Sequence, residues 1–318
     1  MRLFVLQLFR FIGLFSVLYI LFFLFVLPRL MVISQGPNIK DQVDQSFKNA
    51  LNRDYDILVL GNSRTYRGIN PDLIEIPTYN FSLDNDTYNQ LYYKLKYLKT
   101  NNKKFKALIL GMDYFQFSFI SDTRNYAYAS YFDSDYLNDY PSKNYVLLYH
   151  LRKLKPNRAE GLRFPRKNRP YLKQNGQFYR EGKATPNDRA NRDISRKEIQ
   201  VKYFENILNY CAENNIKVFL LFLPTRENEM KSYTDNQIKE FHNFLDQYLT
   251  ENVFLLNFTN DTTYSIDDFA DITHLTPKAA DRFSKQLNDT IMAIYLSSFT
   301  PSILNEGINN SEKFINSY

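Results

Sequence analysis

The sequence predicts an α/β fold, a three-layer sandwich with a five-stranded parallel sheet, preceded by one N-terminal transmembrane helix. Three observations predict it. Short apolar runs alternate with amphipathic helical patterns between residues 54 and 298, as expected of crossover units whose strands are buried on both faces. Phe11 to Leu27 (FIGLFSVLYILFFLFVL) carries no charge. The chain is also 44% hydrophobic and 16% aromatic, enough for a sizeable core and too much for a disordered polymer. A lone cysteine, Cys211, excludes a disulfide scaffold and a thiolate zinc cluster.

The elements follow in order. The uncharged run spans roughly 26 Å as a helix, close to the hydrocarbon thickness of a bilayer. A cleaved signal peptide is the alternative, but Pro28 onward (PRLMVISQGP) offers no small-x-small cleavage site. Residues 1–35 are therefore expected to be an uncleaved anchor. Arg2 and Arg10 precede the apolar run and Arg29 follows it, which favours a cytoplasmic N-terminus and a domain in the periplasm or outside the cell. Residues 36–53 read as a linker helix, with Val43, Phe47 and Leu51 on one face.

Strands are expected at Asp56 to Leu60, Thr78 to Leu83, Phe105 to Leu110, Lys217 to Leu223 and Asn252 to Asn257. Helices are expected at Tyr88 to Lys99, Arg196 to Glu213, Thr234 to Leu249 and Pro277 to Leu296. About 105 residues separate the third and fourth strands, too many for one crossover. This gap predicts an insertion at about 121–196 in the 54–298 domain, Tyr-rich at first and then basic. From His150 to Lys197 there are 15 Lys or Arg against 4 acids, in a chain whose net charge is +6. That stretch reads either as a solvated excursion or as a face for an anionic partner, an acidic lipid or an envelope polymer rather than nucleic acid. Residues 299–318 form a polar tail.

Parallel sheets bind ligands at the carboxyl ends of their strands. Past the first strand stands Gly61-Asn62-Ser63-Arg64. Glycine permits a sharp turn, and a serine there projects its hydroxyl above the sheet; Ser and Asn are equally favoured helix caps, so both readings stand. Past the last strand stands Asp271-Ile272-Thr273-His274. An Asp three residues before a His can fix the imidazole tautomer while the other nitrogen faces a serine. The two blocks at opposite ends of a five-strand pattern are much less expected by chance than either alone. Of the remaining histidines, His242 is expected on a helix surface, and His150 has no partner implied by spacing. No phosphate loop or metal-ligand spacing is present, so no metal and no cofactor are expected.

Over residues 54 to 296, this conjunction resembles the SGNH (GDSL-like) hydrolase superfamily, which has a flavodoxin-like fold. With its N-terminal anchor and Asn62 in place of Asp, the chain looks like the membrane-tethered envelope branch, which includes the teichoic-acid D-alanylation protein DltD and alginate O-acetylation proteins. The resemblance implies that Ser63 is the nucleophile, His274 the general base and Asp271 its orienting residue. It also implies an oxyanion hole, for which Ser82 matches the second block and Asp113 the third. The family normally has an Asn where Asp113 stands, and an ionised carboxylate would repel an oxyanion. Asn62, Asn85 or Tyr114 would then have to complete the hole. Arg64 and Arg67 read either as binders of an anionic substrate group or as helix-surface charges.

The function expected is serine acyl transfer outside the cytoplasm, most simply O-acylation (acetylation) of a cell-envelope polysaccharide. A multi-pass membrane O-acyltransferase would be the acyl donor. An esterase or deacetylase is the alternative within the same chemistry, and a non-catalytic glycan-binding accessory is the alternative outside it.

Overall fold

A computed structural model of the chain describes residues 2–22, 39–121, 124–128, 131–133, 135–138, 173–179, 181–188 and 190–298. The fold is α/β. Five parallel strands, β1 (Ile57–Leu60), β2 (Thr78–Asn80), β3 (Ala107–Met112), β4 (Lys217–Phe222) and β5 (Val253–Asn257), lie in the order β2-β1-β3-β4-β5. This is the flavodoxin-like order, with the switch point between β1 and β3. In the register Val59 pairs with Ile109, which pairs with Phe219.

Alternate residues of the central strands feed two cores, as the period of two requires. Leu58, Leu60, Leu108, Leu110 and Leu220 face one side, where α2 (Ile39–Asn52), α4 (Tyr88–Thr100), α7 (Glu198–Glu213) and α9 (Asp235–Asp246) pack. Ile57, Val59, Ile109, Phe219 and Leu221 face the other, covered by Phe283, Leu287 and Ile291 of α10 (Pro277–Ser298).

The N-terminal helix α1 (Arg2–Leu21) has a mean hydropathy of 2.1, and none of its apolar window is buried in the protein. The expected apolar run ends at Leu27, and its last residues lie outside the described ones. The segment expected as a linker helix does not stand clear of the domain. Val43, Phe47 and Ala50 of α2 are fully buried, and the Phe47 ring packs edge-on against Phe81 and Tyr97, both at 4.9 Å.

Two strands differ from expectation by more than one residue at the carboxyl end. β2 stops at Asn80 rather than Leu83: Asn80 Oδ1 accepts from Ser82 N (3.1 Å) in a turn, while its amide donates to Thr65 O (2.8 Å) and Ile69 O (3.1 Å). β3 runs on through Gly111 and Met112, which pair with Leu221 and Phe222. The Tyr-rich start of the insertion supplies core: Tyr128 of α5 (Asn125–Tyr128), Phe132, and Tyr136 of α6 (Asp135–Asn138) are buried. The insertion's return leg edges the carboxyl end of the sheet, where Asn80 N donates to Asn175 O (3.0 Å) and Ala184 N to Phe269 O (3.0 Å). The remainder of the basic stretch, His150 and the 299–318 tail lie outside the described residues.

Candidate active site

Ser63 opens a short helix, α3 (Ser63–Gly68), directly after β1. Two glycines let that helix sit down on the sheet. A Cβ on Gly61 would lie 2.4 Å from Thr65 Oγ1, and one on Gly111 would lie 2.4 Å from Thr65 Cγ2. Thr65 thus wedges between β1 and β3, its hydroxyl hydrogen-bonding with Asn62 O (3.0 Å) and Ser82 Oγ (2.9 Å). Asn62 is the helix cap, with Oδ1 accepting from Arg64 N at 2.8 Å.

His274 is delivered from the other end of the chain by a tight loop. Ala270 N donates to His274 O (2.7 Å) and Thr276 N to Asp268 O (2.8 Å), closing an antiparallel bridge between Phe269 and Leu275. Inside it, Asp271 Oδ1 accepts from the backbone N–H of Thr273 (2.9 Å) and His274 (3.0 Å). His274 Nδ1 lies 2.9 Å from both Asp271 carboxylate oxygens, and His274 Nε2 lies 2.8 Å from Ser63 Oγ. With the proton on Nδ1, Nε2 is the acceptor for the serine hydroxyl. Ser63, His274 and Asp271 are therefore brought together, with Ser63 only partly buried.

Burial pushes the His274 imidazole below its ordinary value of 6.5; Asp271 opposes this and the Arg67 charge adds to it. The imidazole is thus neutral at neutral pH. Burial would raise the Asp271 carboxyl, but the His274 ring and the two backbone N–H groups overcome it and hold the group well below the usual carboxylate range.

Most of the groups expected at an oxyanion hole are engaged elsewhere. Asn62 is 5% exposed and its Nδ2 is spent, donating to Asp113 Oδ2 and Gln116 Oε1, both at 2.5 Å. The Ser82 N–H donates to Asn80 Oδ1 (3.1 Å) and its side chain is fully buried. Asp113 does not face an oxyanion; it is 4% exposed and paired with Arg64 Nε at 2.9 Å. Tyr114 is turned away toward His242, its hydroxyl 3.0 Å from Nε2. Asn85 alone of these keeps an exposed side chain, on a left-handed backbone (φ 61°) in the turn after β2. The Ser63 N–H, at the first position of α3, makes no bond among the described residues.

Neither arginine is a free helix-surface charge. Arg64 is buried among Asp113, Glu229 and Thr225 Oγ1, the last at 2.8 Å, so it is not available to a substrate anion. Arg67 grips Asp84 through both carboxylate oxygens (2.7 and 2.8 Å), and its guanidinium lies over the Phe178 ring. His242 is half-buried rather than on the surface, packed against Tyr114 and Phe222, and burial lowers its affinity for a proton.

Gln116, Glu229 and Asp84 are site-framing residues that the sequence did not single out. For Gln116 a signal existed in its spacing of three from Asp113 on the turn after β3. Glu229, on the one-turn helix α8 (Glu227–Met230), carried none. Among the described residues no group of three or more His, Cys, Asp or Glu side chains could hold a metal ion.

Taken together, these elements define an α/β protein with a five-stranded parallel sheet and a hydrogen-bonded serine, histidine and aspartate at its carboxyl edge. A protein-family model of uncharacterised function matches residues 177–296, which include Asp271 and His274 but not the Ser63 turn. No curated protein matches the chain.

Proposed function

We propose that the chain is a membrane-tethered serine acyl-transfer protein related to the SGNH hydrolases, working outside the cytoplasm on O-acyl groups of an envelope polysaccharide. The observation that carries this reading is the 2.8 Å approach of His274 Nε2 to Ser63 Oγ, with Asp271 on the opposite ring nitrogen. His274 takes the Ser63 proton as Oγ attacks the acyl carbonyl. The imidazolium then returns the proton to the departing alcohol, leaving an acyl-Ser63 ester. An acceptor hydroxyl repeats the sequence in reverse, giving its proton to His274 and taking the acyl group.

Transfer is favoured over hydrolysis by the sparse hole. With Asn62, Ser82 and Asp113 occupied elsewhere, Ser63 N–H and Asn85 are the donors left, and each missing donor costs about 10² to 10³ in rate. A donor protein that delivers acyl groups beside the site offsets part of that loss through local concentration. The apolar α1 supports tethering to a bilayer, and the basic stretch supports contact with an anionic polymer or acidic lipid.

The test is reaction of the full chain in detergent with a fluorescent fluorophosphonate. A single adduct on Ser63, absent from Ser63→Ala, is expected. No adduct above the Ser63→Ala background overturns the serine reading, and rapid partner-independent hydrolysis of small esters replaces transfer with esterase activity.

A further inference from the structure

Both residues that flank Ser63 are held by one buried carboxylate. Asp113 Oδ2 accepts from the Asn62 amide at 2.5 Å, and Asp113 Oδ1 pairs with Arg64 Nε at 2.9 Å. The grip is itself supported from behind. Gln116 Oε1 is the second acceptor for Asn62, and Gln116 is oriented by donating to Asp86 O at 2.7 Å. Asp86 in turn is paired with the fully buried Lys94 at 2.6 Å. On the other side, the Arg64 guanidinium also binds Glu229 and Thr225 Oγ1. Among the described residues Ser63 makes one side-chain bond, to His274, so its position depends on the turn that these neighbours fix.

We propose, on the reading of Ser63 as nucleophile, that ionised Asp113 is the positioning residue of the reaction, setting the serine hydroxyl against His274 by holding Asn62 and Arg64 at once. An orienting carboxylate stands here where a neutral donor to the oxyanion was expected, so the departure at this position moves from stabilising charge to aiming the nucleophile.

The charge state of Asp113 gives this a signature. Burial raises its carboxyl to about 6, with Arg64 and Asn62 opposing the rise. The other titratable and charged groups that face it are Glu229 from α8, Arg192 from the return leg, Tyr88 from α4, and Tyr233. Burial pushes both tyrosine hydroxyls far above neutral, so they do not titrate in the working range. A proton on Asp113 removes the anion that Arg64 pairs with, whereas a proton on His274 removes the base. Falling pH therefore disables the site twice.

The experiment measures the rate constant for fluorophosphonate labelling of the full chain in detergent, from about pH 4.5 to about pH 9, where a logarithmic slope counts essential protons. The unmodified chain should fall with a slope approaching two at acid pH. Asp113→Asn should label about 10²-fold more slowly at high pH, the scale of a small misplacement of reacting atoms, and should fall with a slope of one. Glu229→Gln should keep the slope of two. Equal rates for Asp113→Asn and the unmodified chain at high pH overturn the proposal, as does a loss of the second proton in Glu229→Gln instead. Should Asp113→Asn fail to fold, a slope of one in the unmodified chain overturns it alone. Absence of labelling in the unmodified chain removes the serine reading and this inference together, whereas labelling with a slope of one removes only the role of Asp113.

Discussion

Ser63 and His274, 211 positions apart in sequence, meet with Oγ and Nε2 2.8 Å apart at the carboxyl edge of the sheet. Groups that act as one unit are lost as one unit. Ser63→Ala and His274→Ala should each lower ester turnover by about 10⁴ to 10⁶-fold, with the double variant little worse than either. Additive losses, measured as turnover of an activated ester, would show that the two side chains work independently.

The pH profile should carry the mark of the histidine. Catalysis needs neutral His274, and burial holds its pKa below 6.5, so activity should rise with pH, and the limb that titrates with His274 should have its midpoint below that value. Asp271 raises the ring's proton affinity; Asp271→Asn should move the acid limb to lower pH while dropping the plateau by about 10⁴-fold. An acid limb that moves upward would mean that Asp271 is not the carboxylate acting on the ring.

Close packing of α3 on the sheet makes Gly111 a sensitive position. A Cβ there would lie 2.4 Å from Thr65 Cγ2 but 3.4 Å from the nearest atom of Gly61. Gly111→Ala should therefore cost about 1 to 3 kcal/mol in denaturant unfolding and slow Ser63 labelling. Adding Thr65→Ser, which removes Cγ2 and keeps the hydroxyl that bonds Asn62 O and Ser82 Oγ, should restore both. Failure of the second change to rescue labelling would place the sensitivity elsewhere than in the Thr65 wedge.

Topology can be read with a reporter. The unburied α1 carries Arg2 and Arg10 and no acidic residue, so a reporter fused after Tyr318 should be active only when it requires export from the cytoplasm. Activity of a cytoplasm-dependent reporter at the same place would reverse the orientation.

Sequence alone determined the element types and the three residues of the candidate triad. Alternating buried runs such as Ile57–Leu60 and Ala107–Met112 are local patterns, and local periodicity is set by backbone geometry that needs no knowledge of the partner. Asp271 and His274 were legible for the same reason, since a spacing of three within one loop brings the carboxylate to the ring. Ser63 was legible through its glycine turn at a strand end.

What only the tertiary structure decided is how the polar groups around that serine are spent. Arg64 and Arg67 look alike in sequence. Yet one is consumed by Asp113 and Glu229, the other by Asp84, because these acids arrive on turns after different strands. Asn62 lost its expected role to Asp113 and Gln116, and Ser82 lost its own to Asn80. A buried donor must find an acceptor or incur its desolvation cost. Which acceptor it finds depends on the order of strands in the sheet, and a periodic pattern of apolar residues does not encode that order. The same holds for the segment before the domain: its apolar face was visible, but that Phe47 closes on Phe81 and Tyr97 follows only from where β2 and α4 stand in three dimensions.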